Sequence, residues 1–215
     1  MFTGIVQTKL PVAEVLKAEG LTTFVFEFND KLLDGLETGA SVAMNGTCLT
    51  VRSIEGNRVC FDAIAQTLKV TNLGQIEPGT VVNLERAAKY GDEIGGHVVS
   101  GHVMDQVCVV DVIDSANNRA VWMQRPKHLA PYLLDKGFVS LNGCSLTIAE
   151  VEEDRFAVHL IPETLDVTVF GGINTGDSVN LEIDAQTQAV VDTVRRLIGS
   201  TDNLKELITA ITDTE

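Results

Sequence analysis

This chain is short of positive charge. Lysine and arginine number 16 against 30 aspartates and glutamates, a net charge of −14, so approach to nucleic acid or an anionic membrane works against long-range repulsion. A neutral substrate, or one held by local contacts, fits better. The four cysteines, Cys48, Cys60, Cys108 and Cys144, show no CxxC spacing, and no histidines are paired at zinc-ligand intervals. Neither a disulfide framework nor a metal site is indicated, and reduced thiols are expected. No apolar run approaches the ~20 residues that span a bilayer. Met1-Phe2-Thr3-Gly4 has neither the charged head nor the apolar stretch of a signal peptide. The expectation is a cytoplasmic protein with neither membrane nor nucleic acid among its partners. Low-complexity sequence is missing too, and 45% of the residues are hydrophobic, the composition of an ordinary globular protein.

What the chain does have is a copy of itself. Gly4-Ile5-Val6-Gln7 returns 97 residues later as Gly101-His102-Val103-Met104, and Asn45-Gly46-Thr47-Cys48-Leu49-Thr50 as Asn142-Gly143-Cys144-Ser145-Leu146-Thr147. Thr67-Leu68, Gly74, Gly79 and Val82-Asn83-Leu84-Glu85 return in the same register as Thr164-Leu165, Gly171, Gly176 and Val179-Asn180-Leu181-Glu182. The period is too long for a solenoid unit, so it implies two equivalent modules, each large enough to close a core and to gain from packing on its twin. The copy is imperfect where it matters chemically: Ile5 stands against His102 and Cys48 against Ser145.

Within the first module, short β-branched segments cover Thr22 to Phe28, Ser41 to Met44, Cys48 to Ile54, Arg58 to Ile64 and Val81 to Arg86, separated by turn signals such as Asn45-Gly46 and Pro78-Gly79. The second repeats them at Val103 to Ile113, Ala120 to Gln124, Phe138 to Leu141, Ser145 to Val151, Phe156 to Ile161 and Ser178 to Ile183. This is the pattern of small antiparallel barrels or sandwiches. Short helices are expected at Lys31 to Leu36 and His128 to Asp135. The glycine-rich Ala87 to Ser100 reads as a linker. Thr187 to Ile198 sets Val190, Val191, Val194, Leu197 and Ile198 on one helical stripe, either an oligomer contact or a face docked on its own barrel. A further helix could run through Leu204, Leu207, Ile208 and Ile211. The division expected is residues 1–96, 97–186, and a C-terminal helix and tail over 187–215.

Alternation along Cys48-Leu49-Thr50 and Ser145-Leu146-Thr147 sends each polar pair to one face and leucine to the other. A polar pair facing inward would line a pocket. Cys48 can instead be a small buried hydrophobe; its register with Ser145 favours a site. His97 and His102 do not share a helix face, so their use would be proton movement near pH 6.5 rather than metal binding, with hydrogen bonding to the linker as the other reading. Asp62-Ala63-Ile64-Ala65-Gln66-Thr67 and His159-Leu160-Ile161-Pro162-Glu163-Thr164 lie where a strand meets a helical turn, whose backbone can read a heterocycle edge or whose threonines can simply cap. Asp184 stands where a helix N-cap is commonplace.

Taken together, Met1-Phe2-Thr3-Gly4-Ile5-Val6, Asn45-Gly46-x-Cys48-Leu49-Thr50, Gly95-Gly96-His97-x-x-Ser100-Gly101-His102 and Ile161-Pro162-Glu163-Thr164-Leu165 resemble the riboflavin synthase family over residues 1 to about 198. The resemblance implies an all-β chain of two six-stranded Greek-key barrels and a C-terminal helix that makes a homotrimer. It implies a cofactor-free dismutation of two 6,7-dimethyl-8-ribityllumazine molecules into riboflavin and 5-amino-6-ribitylaminouracil, one lumazine to each barrel. Carried over position by position, the first site would comprise Gly4 to Val6 (with Ile5), Cys48, Leu49, Thr50 and Asp62 to Thr67. The second would comprise Gly101, His102, Val103, Lys136, Ser145, Leu146, Thr147 and Ile161 to Asp166. Ser41, Cys48, His102, Ser145, Thr147 and Asp184 match the family's catalytically sensitive set. One departure is Gln66, where the family usually has Glu. A rival from another class is a lumazine protein, a light-emission relative that binds lumazine or flavin without turnover; it lacks the Gly-Gly-His-x-x-Ser-Gly-His run that stands here.

Overall fold

The computed structural model describes residues 1–199, so the expected helical extension through Leu204 to Ile211 lies outside the described residues. The first module contains β1 (Thr8–Pro11), β2 (Glu14–Ala18), β3 (Leu21–Glu27), α1 (Asp30–Leu33), β4 (Ser41–Met44), β5 (Thr47–Glu55), β6 (Arg58–Ile64), α2 (Ala65–Val70) and β7 (Val81–Arg86). The second contains β8 (Asp105–Ser115), β9 (Asn118–Gln124), β10 (Phe138–Leu141), β11 (Cys144–Val151), β12 (Arg155–Leu160), α3 (Pro162–Val167) and β13 (Ser178–Ile183), and α4 (Ala185–Gly199) follows. In the second module the strands close in the order β10-β11-β12-β9-β8-β13. β9 neighbours β12 rather than β10, and β10 neighbours β13, which is Greek-key connectivity.

The first module follows the same path with one interruption, so its sheet has seven segments in the order β1-β7-β4-β5-β6-β3-β2 rather than six. β8 pairs with β13 through Asp105 to Cys108 and with β9 from Val109 onward, bulging between Val109 and Asp111. At the matching place β1 ends at Pro11, which has no N–H to give a ladder. Val12 and Ala13 donate instead to Thr80 O and Val25 O before β2 resumes on β3. The strand β1–β2 escaped the sequence pattern because of this break, although its register with Val103 to Ile113 marks it.

Elsewhere the expected strands form within one or two residues of their predicted ends. The helix expected over 31–36 is the shorter α1, capped by the Asn29 side chain. That expected over 128–135 is only a 3₁₀ turn at Ala130–Tyr132. Arg125 there takes the carbonyls of Ala130 and Leu133, acceptors that a continuing helix would use itself. Each barrel has its own core, one around Phe24, Phe26 and Phe61, the other around Phe156, Phe170 and Met123. A small cluster of Phe2, Ala43 and Val99 lies apart from both.

The barrels meet about a local two-fold axis. The turns Asn45-Gly46 and Asn142-Gly143 have matching left-handed backbones (φ 43° and 78°, 44° and 80°), and they stand back to back. A Cβ on Gly46 would lie 2.6 Å from Gly143 N, and one on Gly143 2.8 Å from Gly46 N. Buried asparagines cross the joint: Asn83 Nδ2 donates to Asn142 O (2.9 Å) and Asn180 Nδ2 to Asn45 O (2.8 Å). Their Oδ1 atoms accept from Val169 N–H (2.8 Å) and Asn72 N–H (2.7 Å). The segment read as a linker ends by joining the same axis, where Phe2 and Val99 exchange backbone hydrogen bonds of 2.8 and 3.0 Å.

Gly46→Ala is therefore expected to cost about 3–5 kcal/mol, the left-handed penalty plus a collision with backbone that cannot give way. Gly56→Ala, at φ 64° with nothing within 4 Å of the new Cβ, is expected to cost only about 1–2 kcal/mol. Urea unfolding of the two variants checks the difference.

Candidate active site

β5 and β11 each carry their polar pair on the barrel's outer wall. Leu49 is buried in the first core, while Cys48 is half-buried and Thr50 exposed. Ser145 and Thr147 repeat the arrangement, with Leu146 packed against the second core. The expectation of an inward-facing pair is corrected, because the barrel interior is filled by leucine, valine and phenylalanine. Outside the first barrel lies a depression of ~370 Å³ lined by Cys48, Leu49, Thr50, Arg52, Asp62, Ile64 and Thr67.

Over these walls run the two glycine loops, each on the barrel it was not expected to serve. Ser145 N–H donates to Gly4 O (2.8 Å) and Cys48 N–H to Gly101 O (2.9 Å). A Cβ on Gly4 would lie 2.5 Å from Ser145 Cβ, and one on Gly101 2.6 Å from Cys48 Cβ; with φ of 72° and 83° as well, only glycine fits either place. The grouping of Gly4, Ile5 and Val6 with Cys48 is therefore overturned. They join Ser145, Leu146 and Thr147, while Gly101, His102 and Val103 join Cys48, Leu49 and Thr50. The physical reason is the two-fold joint, which crosses the start of each module onto its twin.

The Ser145 side holds the denser chemistry. His97 Nδ1 lies 2.6 Å from Ser145 Oγ, and the His97 backbone N–H donates to the same oxygen at 3.1 Å. With the ring neutral, the hydroxyl can donate to Nδ1. The imidazole stacks on Phe138 at 5.1 Å and 18°. Burial lowers the pKa of His97 from its ordinary 6.5, against the opposing pull of Asp184 and Glu182. Asp184 does cap α4, accepting from Thr187 N–H and Thr187 Oγ1 at 2.8 Å each. Burial works against its charged form, yet the Thr187 bonds and His97 hold it below the usual carboxylate range. Lys136 has φ 61° where the first copy has Gly39, a strained backbone for a side chain that is largely exposed and donates to Ala149 O.

On the Cys48 side, Ser41 pairs with Thr50 across β4 and β5 as Phe138 pairs with Thr147. Asp62 accepts from Thr23 Oγ1 (2.6 Å) and faces Arg52 (3.3 Å). His102 is exposed, and its backbone N–H donates to Ser100 Oγ. Ala63 is buried; Ile64, Ala65 and Gln66 are exposed beside the half-buried Thr67. The second copy likewise exposes Ile161, Pro162, Glu163 and Asp166 beside half-buried Thr164 and Leu165. Neither α2 nor α3 has a side-chain cap; the Thr67 and Thr164 carbonyls accept from the Thr71 and Thr168 hydroxyls. Ile64 and Ile161, 58% and 60% exposed, stand at equivalent positions of the two copies.

Sequence reasoning left His97 between two readings and gave no place to Phe138, Glu85 or Glu182. The glutamates were visible as the last residue of the repeated Val-Asn-Leu-Glu, but their contacts are with distant loops: Thr3 for Glu85, Ser100 and Gly101 for Glu182.

Comparison with known proteins bears on the same residues. The lumazine binding domain family matches residues 3–87 and again residues 100–184. Riboflavin synthase of Escherichia coli (strain K12) is 52% identical over 204 residues, covering 94% of this chain and 96% of the relative. Riboflavin synthase of Chlamydia pneumoniae is 40% identical over 93% of this chain and 98% of its own. Among solved structures, the crystal structure of LumP complexed with riboflavin matches with a TM-score of 0.79 at 28% identity, covering 86% of this chain and 100% of that one. LumP complexed with 6,7-dimethyl-8-(1'-D-ribityl) lumazine matches at 0.77. With both halves matched and more than half the residues shared along nearly the whole of a relative, the chain belongs to the riboflavin synthase family and carries two lumazine binding domains.

Proposed function

We propose that this protein is a transferase that dismutates two molecules of 6,7-dimethyl-8-ribityllumazine, moving a four-carbon unit from one to the other to leave riboflavin and 5-amino-6-ribitylaminouracil. The observation that carries this reading is the pair of like but unequal half-sites, Ser145–His97 on one barrel and Cys48–His102 on the other, each completed by the twin's glycine loop. The two products together contain the atoms of the two substrates, so no oxidant, reductant or cofactor enters the balance. The substrate's acidic methyl group gives a carbanion delocalised into its ring, so only modest acid–base help is required. Holding two flat rings face to face is the larger task, worth ~7–11 kcal/mol.

Ser145 and Thr147 orient the donor-side ring and any added nucleophile, with His97 holding the Ser145 hydroxyl. Asp184 acts through its charge on His97. Cys48 and Ser41 serve the partner ring, and His102 relays protons. Gln66, in place of the usual glutamate, offers an amide to the ring edge at the Cys48 site, and Lys136 closes the Ser145 site. The productive site forms between the N-terminal barrel of one subunit and the C-terminal barrel of another in a homotrimer. Supporting this, Val190, Val194, Leu197 and Ile198 of α4 are 46–63% exposed, although the helix's other side meets its own barrel through Tyr132 and Asp192. Among the described residues no helix is long and apolar enough to cross a membrane, and we place the enzyme in the cytoplasm. A reading as a binder without turnover has in its favour the likeness to LumP, which is complexed with riboflavin and with ribityl lumazine, and turnover separates the two.

Purified protein given ribityllumazine and no cofactor is expected to form one riboflavin per two lumazines, read by fluorescence; tight binding without product would establish the non-catalytic relative. Cys48→Ser and His102→Gln are each expected to lower kcat at saturation at least ~10-fold, and full turnover in both would remove their roles. Because burial keeps His97 neutral, turnover is expected to fall only as pH drops below ~6.5. His97→Gln is expected to lose about tenfold in kcat at pH 7.5 and, in a pH–rate profile, to lose that acid limb. Val190→Asp with Val194→Asp is expected to convert trimer to monomer in analytical ultracentrifugation.

A further inference from the structure

Both glycine loops are tied down by a glutamate, and the two ties are unequal. Glu182 on β13 is buried and uses both oxygens on one loop. Its Oε1 accepts from Ser100 N–H and Ser100 Oγ, each at 2.7 Å, and its Oε2 accepts from Gly101 N–H at 3.0 Å. Glu85 on β7 uses one oxygen. Its Oε1 accepts from Thr3 N–H (2.6 Å) and Thr3 Oγ1 (2.8 Å), while Oε2 is buried near Gly4 N–H without completing a hydrogen bond to it.

What Glu182 holds is the piece of chain that completes the opposite barrel's site. Gly101 O receives the Cys48 N–H at 2.9 Å, and Gly101 packs so closely on Cys48 that a methyl group there would collide with its Cβ. The next residue is His102, whose backbone N–H returns to Ser100 Oγ at 3.2 Å. Three donors thus converge on one carboxylate, and the far side of the same loop carries the histidine. We propose that Glu182 is a positioning residue for the reaction, reaching from the C-terminal barrel to set the His102 loop over Cys48 of the N-terminal barrel. This rests on the reading of Cys48 and His102 as a working half-site.

The chemistry requires a carboxylate at this place. A glutamine there turns its NH2 toward Gly101 N–H in one orientation and toward the Ser100 donors in the other, so a donor always faces a donor. At Glu85 a glutamine keeps its oxygen on Thr3 and turns its NH2 toward Gly4 N–H, to which the carboxylate makes no full hydrogen bond, and the loop it touches is the one over Ser145, not the one over Cys48.

The full-length protein and its Glu182→Gln and Glu85→Gln variants are compared in two ways. One is alkylation of Cys48 by iodoacetamide, mapped by peptide mass spectrometry with exposed Cys108 as the internal reference. The other is kcat and KM for ribityllumazine. Glu182→Gln is expected to speed Cys48 alkylation at least about threefold, because the loop that shields the thiol is loosened. Its kcat is expected to fall roughly 10- to 100-fold with KM changed far less. Glu85→Gln, which touches the other loop, is expected to leave Cys48 alkylation at the wild-type rate. Equal alkylation in Glu182→Gln and wild type, or equal acceleration by both variants, overturns the assignment. A wild-type protein that makes no riboflavin would end the functional reading, while the alkylation comparison would still decide what Glu182 holds. Should Glu182→Gln fail to fold, Ser100→Ala removes the hydroxyl between the carboxylate and His102 N–H; the same two readouts must then move in the same directions, and their constancy overturns the proposal.

Discussion

The structure depends on one joint, the place where Asn45-Gly46 and Asn142-Gly143 stand back to back about the local two-fold axis. Backbone approaches backbone there too closely for any side chain to intervene. The Asn45 and Asn142 carbonyls buried there are answered by Asn180 and Asn83, whose own side-chain oxygens take the Asn72 and Val169 N–H groups. A half-satisfied network in a buried seam would cost more than an apolar one. This one closes on itself and therefore specifies a single relative placement of the barrels.

From that placement the half-sites follow. The barrels are rotated so that the start of each module passes onto its twin, with Phe2 bonded to Val99 at the crossing. Gly4 then reaches Ser145 and Gly101 reaches Cys48. Neither barrel owns a whole half-site, which gives the packing of two modest domains a chemical consequence. On the function proposed, the duplication supplies two half-sites for two like ligands, and its imperfections make them unequal. Phe138 and Asp184, where the first copy has Ser41 and Ala87, surround a neutral histidine on one side only.

Much of the fold was legible because the chain writes it twice. Ser41–Met44 ends at Asn45-Gly46, and Val81–Arg86 begins just after Pro78-Gly79, as those turn signals predict. The exception, β1–β2, is broken at Pro11, where the ladder loses a donor and alternation stops. The candidate site residues could be named as types, since Cys48 and Ser145 share a register and polar neighbours. Their direction was not: alternation tells which residues share a face, and only the filled cores decide that the polar face points outward. His97 was ambiguous because a glycine-rich run such as Gly95-Gly96-His97 has no periodicity from which to infer a partner.

Sequence alone determined the two-module plan, the strand content, the turn chemistry at the asparagine–glycine pairs and the residue types at each wall, because these follow from local propensity and a register of 97 residues. Tertiary structure alone decided which loop serves which wall, that His97 meets Ser145, and that Glu182 and Glu85 hold those loops unequally. Those contacts join residues 48 to 141 positions apart, 81 or 82 in the case of the glutamates and their loops. They exist only after two barrels have packed across an axis that no single stretch of chain encodes.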